Sequence, residues 1–165
     1  MEEIIVKFKK LKPEAIIPKY QTKGSACFDL HALINKDIVL KPQEHAVVPT
    51  GLAVSLPEGY EMQVRPRSGL AAKFGITVVN SPGTVDSDYL NEVKVIIQNN
   101  IMDEFMYHIA GRESTGKHKY TIKNGDRIAQ CKIAVVPKVK IIEVDEFSEE
   151  EISKDRGGGF GSTGR

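Results

Sequence analysis

Apolar residues in this chain come in short runs with turn residues between them. The runs EIIVKF (3–8), DIVL (37–40), HAVVPTGLAVSL (45–56), YEMQVRP (60–66), ITVVN (76–80), EVKVIIQ (92–98), RIAQCKIAVV (127–136) and KVKIIEV (138–144) have strand-like length and composition. In YEMQVR, Tyr60, Met62 and Val64 alternate with Glu61, Gln63 and Arg65, the two-residue period of a half-buried strand. Lys41-Pro42, Pro57-Glu58-Gly59, Ser81-Pro82-Gly83 and Asn124-Gly125 punctuate the runs. Many short strands with this punctuation predict an all-β sandwich, jelly roll or barrel.

Two segments break the pattern. SGLAAKFG predicts one short helix over about 68–74, with Ser68 as N-cap and Gly75 as the stop. EFSEEEISKD (146–155) is acidic and reads as a helical turn or a solvated linker, with the linker favoured. The chain then ends in RGGGFGSTGR, five glycines in ten residues, a tail with no means of ordering itself. This divides the chain into one domain over 1–147 and a linker with a flexible tail over 148–165. Between strands, residues 99–120 are long for a connection, and GRESTGKHK within them reads as an exposed loop tip.

Composition narrows the function classes. With 165 residues the chain is long enough for a core without disulfides or metal. Its formal net charge is +1, so no global field recruits nucleic acid or an acidic membrane, and any anionic ligand must be held locally. Cys27 and Cys131, the two cysteines, form neither a disulfide framework nor a zinc motif. The first residues mix charge with apolar side chains and do not resemble a signal peptide, which makes the cytoplasm the expected compartment.

Four stretches carry candidate chemistry, each with a plain structural alternative. In RPRSGLAAKFG, Arg65 and Arg67 lead into the predicted helix, where free backbone N–H groups and a guanidinium favour phosphate; solvated arginines beside a capped helix are an even alternative. In NSPGTVDSDYLNE, Pro82-Gly83 fits a type II turn with Gly83 at positive φ, joining two strands of a hairpin. Asp86 and Asp88 follow; a pocket carboxylate can act as a general base, although turn aspartates usually bond their own backbone. In NGDRIAQCKIAVV, Arg127 and Gln130 interrupt an apolar strand; a strand with one polar edge is the plainer alternative for these residues alone. The tail offers Arg156, Phe160, Ser162 and Thr163, a cation, a ring and two hydroxyls suited to an anionic aromatic molecule.

Taken in order, SACFDL (25–30), PRSGLA (66–71), NSPGTVDSDY (80–89), GDRIAQ (125–130) and RGGGFGSTG (156–164) resemble the five motifs of the trimeric deoxyuridine triphosphatases, the dUTPases. The resemblance implies a distorted jelly-roll barrel, a homotrimer with shared active sites, and conversion of dUTP to dUMP and pyrophosphate with Mg²⁺. That reaction keeps uracil out of DNA and supplies the precursor of thymidylate. It also implies roles. Asp86 resembles the base that activates water against the α-phosphorus, and Asp29 a residue that holds Mg²⁺ through its water ligands. Arg67, Ser68 and Gly69 match the phosphate-binding motif, and Gln130 a contact near the α-phosphate. Asn80 and Gly83 match the uracil slot, with Val85 beside them, and Tyr89 the ring under the deoxyribose. In the tail, Phe160 would stack on uracil. Arg156, Ser162 and Thr163 would grip the outer phosphates, and Gly161 would permit close backbone approach. No stable nucleic-acid or membrane partner is expected. The related dCTP deaminases carry a glutamate about ten residues after the hairpin aspartate, where this chain has an apolar stretch around Ile96. A nucleotide-gated interaction protein on the same fold is favoured only by the long 99–120 segment.

Overall fold

The computed structural model describes residues 3–102, 118–155, 157 and 158. The strands are β1 (Lys7–Lys10), β2 (Phe28–His31), β3 (Ile38–Leu40), β4 (His45–Ser55), β5 (Tyr60–Arg65), β6 (Ile76–Val78), β7 (Gly83–Val85), β8 (Glu92–Asn99), β9 (Tyr120–Ile122) and β10 (Arg127–Val135). Among the described residues two short helices accompany them, α1 (Ser68–Phe74) and α2 (Glu149–Ser153). The strands form two four-stranded sheets, β1-β4-β8-β6 and β2-β10-β5-β7, and a two-stranded β3-β9 pair, with antiparallel pairing throughout. The all-β expectation holds.

Alternation along the strands builds the core. Met62 and Val64 of β5 are buried while Glu61, Gln63 and Arg65 are half-buried on the other face. In β8, Val93, Val95 and Ile97 point inward, and they join Leu30, Val48, Leu52, Met62 and Cys131 in one apolar cluster. Burial pushes the Cys131 thiol well above its ordinary range, and both cysteines are free. β4 survives its internal proline because the pairing with β8 shifts register between Pro49 and Ala53.

Several expectations are corrected. Ser68 is the first helical residue of α1; Arg67 is the N-cap and gives no side-chain cap. The stop is as expected, with Gly75 at φ 64° and its N–H bonded to Ala71 O. The acidic stretch is not all linker: Ser148 and Glu151 cap each other reciprocally and start α2. The segment 3–8 enters a strand only at Lys7. Residues 138–144 form no strand, and Val139, Ile141, Ile142 and Val144 are exposed, Ile141 to 91%. An extended segment needs a neighbouring strand to take up its backbone groups, and the described residues supply none there.

The turn at 80–83 also differs. β6 and β7 flank it but do not pair with each other; β6 pairs with β8 and β7 with β5, so the turn carries the chain from one sheet to the other. The Ser81–Pro82 peptide is cis, and Gly83 lies outside the positive-φ region. The requirement for glycine is space. A Cβ at Gly83 would lie 3.1 Å from Asn80 Nδ2 and 3.4 Å from Val64 Cβ.

Candidate active site

The outer face of β2-β10-β5-β7 brings three of the quoted motifs together. Gln130 on β10 sits opposite Asp29 on β2 and opposite Arg65 on β5. Directly opposed residues share a face, so the three side chains form a row across three strands. Asp29 is the buried member. Its Oδ1 accepts from Arg67 Nε at 2.9 Å and its Oδ2 from Arg127 Nη1 at 3.3 Å. Arg67 Nη1 also donates to Arg127 O at 3.0 Å, and Gln130 Nε2 donates to Pro66 O at 2.8 Å. The entry to α1 is thereby fastened to β2 and β10 through side chains.

Arg67 is thus committed largely to Asp29, while Ser68 and Gln130 face open space. They line an open cleft of about 370 Å³ with Arg65, Pro66, Ser81 and Pro82. Gly69, the third residue of the expected phosphate motif, lies beside Ser68 in α1 and is exposed.

Asp86 lies elsewhere. It follows Val85 at the end of β7, is exposed, and lines a second cleft of about 520 Å³ with Thr84, Val85, Tyr89, Glu92 and Ile96. Its carboxylate has no hydrogen-bond or ion-pair partner among the described residues, while its carbonyl accepts from Tyr89 N at 3.2 Å. The Tyr89 hydroxyl donates to Glu92 O at 3.0 Å, which braces the ring against the start of β8. Glu92 is itself engaged, accepting from Gly51 N at 2.9 Å. Asn80 stands exposed at the turn and approaches Gly83.

The expected site residues therefore fall into two groups on one chain. Ser68 and Gln130 face the cleft at Pro82; Val85, Asp86 and Tyr89 face the other. Arg156, Phe160, Gly161, Ser162 and Thr163 lie outside the described residues. Sequence reasoning gave no role to Arg127, the second partner of Asp29, although an arginine opening an apolar strand was a visible signal. Next to it, His31 pairs with Arg127 across the strands and its Nδ1 is buried without a hydrogen-bond partner among the described residues. Burial lowers the His31 pKa, against the opposing pull of Asp29.

The dUTPase family model matches residues 13–112. A Nautilia profundicola protein named deoxyuridine 5'-triphosphate nucleotidohydrolase is 49% identical over 161 residues, covering 97% of this chain and 99% of its own. The chain belongs to the dUTPase family. A Treponema denticola protein of the same name is also 49% identical, over 95% of this chain and 96% of its own. Among solved structures, a mutant dUTPase of Staphylococcus bacteriophage 80alpha with dUpNHpp matches with a TM-score of 0.80 and 29% identity, over 98% of this chain and 99% of that one. The dUTPase of phage phi11 of S. aureus, described with a structural Mg(II) ion, matches with a TM-score of 0.73 and 26% identity over 88% of this chain and 99% of that one. The two clefts thus lie on a dUTPase-family enzyme, with Asp86 in one and Ser68 and Gln130 in the other.

Proposed function

We propose that this dUTPase-family enzyme hydrolyses dUTP to dUMP and pyrophosphate, with Asp86 as the base that takes a proton from the attacking water. The observation that carries the reading is the free, exposed Asp86 carboxylate at the mouth of a cleft whose wall is the Tyr89 ring. An acceptor with no internal partner is available to water, and general-base assistance is worth roughly 10²–10⁴-fold. The braced Tyr89 ring supports a steric role under the deoxyribose, against a 2′-hydroxyl. Asn80 and Gly83 form a tight turn suited to a planar base, and Ser68 and Gln130 supply neutral donors for phosphate oxygens.

Asp29 fits a metal only at one remove. Both of its oxygens are held by guanidinium groups, and no group of three acidic, Cys or His side chains gathers for a metal among the described residues. A carboxylate with two hydrogen bonds keeps lone pairs for water. This suits Mg²⁺ arriving on the triphosphate with most of its own oxygens, where it would neutralise phosphate charge.

A homotrimer with shared sites joins the two clefts in this reading. The separation of Asp86 from Ser68 and Gln130 supports it, as does the exposed apolar strip from Val135 to Phe147, which the described residues leave uncovered. Ile96 is apolar and Glu92 is already bonded, so the Asp86 cleft offers no obvious acid for deamination. The test is pyrophosphate release from dUTP, with dTTP, dCTP and UTP as controls. Turnover confined to dUTP is expected; ammonia release from dCTP would overturn the assignment.

A further inference from the structure

We propose that Arg65 is a further phosphate-binding residue of this site, aimed by Gln63 and Glu61, an inference that rests on the triphosphate reading above. Three arginines lie among the described residues, and they are not equivalent. Arg67 and Arg127 share the Asp29 carboxylate. Arg65 has no carboxylate partner among the described residues. Its Nε donates to Gln63 Oε1 at 3.1 Å and its Nη2 donates to the same oxygen. Gln63 Nε2 in turn donates to Glu61 Oε1 at 2.5 Å.

This ladder runs along one face of β5, where residues two apart are neighbours. Its chemistry separates orientation from neutralisation. A carboxylate at position 63 would fix the guanidinium and cancel its charge. An amide fixes the guanidinium and leaves the charge standing, while Glu61 holds the amide in the flip that presents oxygen. The result is a half-buried cation whose charge is met, among the described residues, only by a neutral dipole. Such a group favours an anion, since burying a charge without a counter-charge is costly.

The place where an anion would meet it is defined. Arg65 lines the cleft of about 370 Å³ with Ser68 and Gln130, and Gln130 lies directly across the strand pair from it. The Gln130 amide is bonded to Pro66 O, the residue after Arg65, which ties the Gln130 side of the cleft to the backbone that carries the guanidinium. Two hydrogen bonds from Arg65 go to Gln63, and Nη1 remains for a phosphate oxygen. Of the two arginines flanking Pro66, the one that faces the ligand side is therefore Arg65, and Arg67 chiefly holds Asp29.

The test uses the full chain, with three substitutions beside wild type. Wild type is first assayed for pyrophosphate release from dUTP; failure there removes the triphosphate reading itself. With that activity present, Arg65→Gln is expected to raise the dissociation constant of a non-hydrolysable dUTP analogue by about 10- to 100-fold, the scale of one charge-assisted hydrogen bond. It is expected to leave deoxyuridine, which has no phosphate, within about 2-fold, and to flatten the salt dependence of analogue binding. Arg65→Lys keeps the charge and is expected to lose less. Gln63→Glu keeps the shape, cancels the charge, and is expected to weaken the analogue without weakening deoxyuridine. Unchanged analogue affinity in Arg65→Gln overturns the inference. So does an equal loss for the analogue and deoxyuridine accompanied by a smaller oligomer or a lower ligand-free Tm, which would place a carboxylate of a second copy on Arg65 instead. If Arg65→Gln does not fold, the two other variants decide: unchanged analogue affinity in Gln63→Glu overturns the inference.

Discussion

Asp29→Asn removes one negative charge from a position where two guanidinium groups meet. In the native chain the carboxylate is 11% exposed, Arg67 23% and Arg127 50%, with oxygen–nitrogen distances of 2.9 and 3.3 Å. A pair about 4 Å apart at an effective dielectric near 20 attracts by about 4 kcal/mol. Removing one partner of a buried pair typically costs about 3–5 kcal/mol, because the other charge stays behind. The half-exposed Arg127 adds at most about 1 kcal/mol, since water screens it. The asparagine oxygen still accepts one hydrogen bond from Arg67, which returns about 1 kcal/mol. The net loss is about 3–5 kcal/mol. For a chain of this size 1 kcal/mol moves Tm by about 2–4 °C, so Tm should fall by about 6–20 °C. Differential scanning calorimetry without nucleotide, at one protein concentration, measures it. Combining Asp29→Asn with Arg67→Met should cost clearly less than the sum of the two, as expected when the stranded cation is the source of the penalty. A fall below about 2 °C for Asp29→Asn, or strict additivity in the double variant, would refute this account.

Asp86→Asn should retain binding of a non-hydrolysable dUTP analogue and lose about 10²–10⁴-fold in turnover, measured as pyrophosphate release; turnover within a few-fold of wild type would remove Asp86 as the base. Gly83→Ala places a methyl group 3.1 Å from Asn80 Nδ2, so the exposed Asn80 side chain must shift by a few tenths of an ångström; weaker dUTP binding is expected, with at most about 1 kcal/mol lost in urea unfolding. Deleting residues 156–165 should abolish most turnover while moving the ligand-free Tm by less than about 2 °C, because the segment carries few residues that a core needs; wild-type turnover by the truncated chain would contradict this.

What could be read beforehand followed periodicity. Runs with clear alternation or β-branched content, such as 60–66 and 92–98, hold strands, and in 60–65 Met62 and Val64 turn inward as the alternation predicts. β2, β7 and β9 are three or four residues long and include polar positions, too short for a period to register. Residues 138–144 have a strand's composition without a strand's partner among the described residues, and pairing is a property of neighbours that composition does not encode. The cap of α2 was legible, since a serine followed three residues later by glutamate is a start signal; the acidic run masked it. The motif order identified the family, but not which of Arg65 and Arg67 turns toward Asp29, a choice made by tertiary contacts that neither residue type announces.

The division of the working residues between two clefts has a genetic consequence. If each complete centre draws one cleft from one chain and the other from its neighbour, a defect is confined to the half in which it sits. A chain lacking the Asp86 carboxylate still offers a sound Ser68–Gln130 half, and a chain damaged at Gln130 still offers a sound Asp86. Expressed separately, both are inactive; expressed together, some assemblies place the two sound halves face to face. Two recessive alleles would then complement each other within one locus, and the activity recovered would count the centres that drew both good halves.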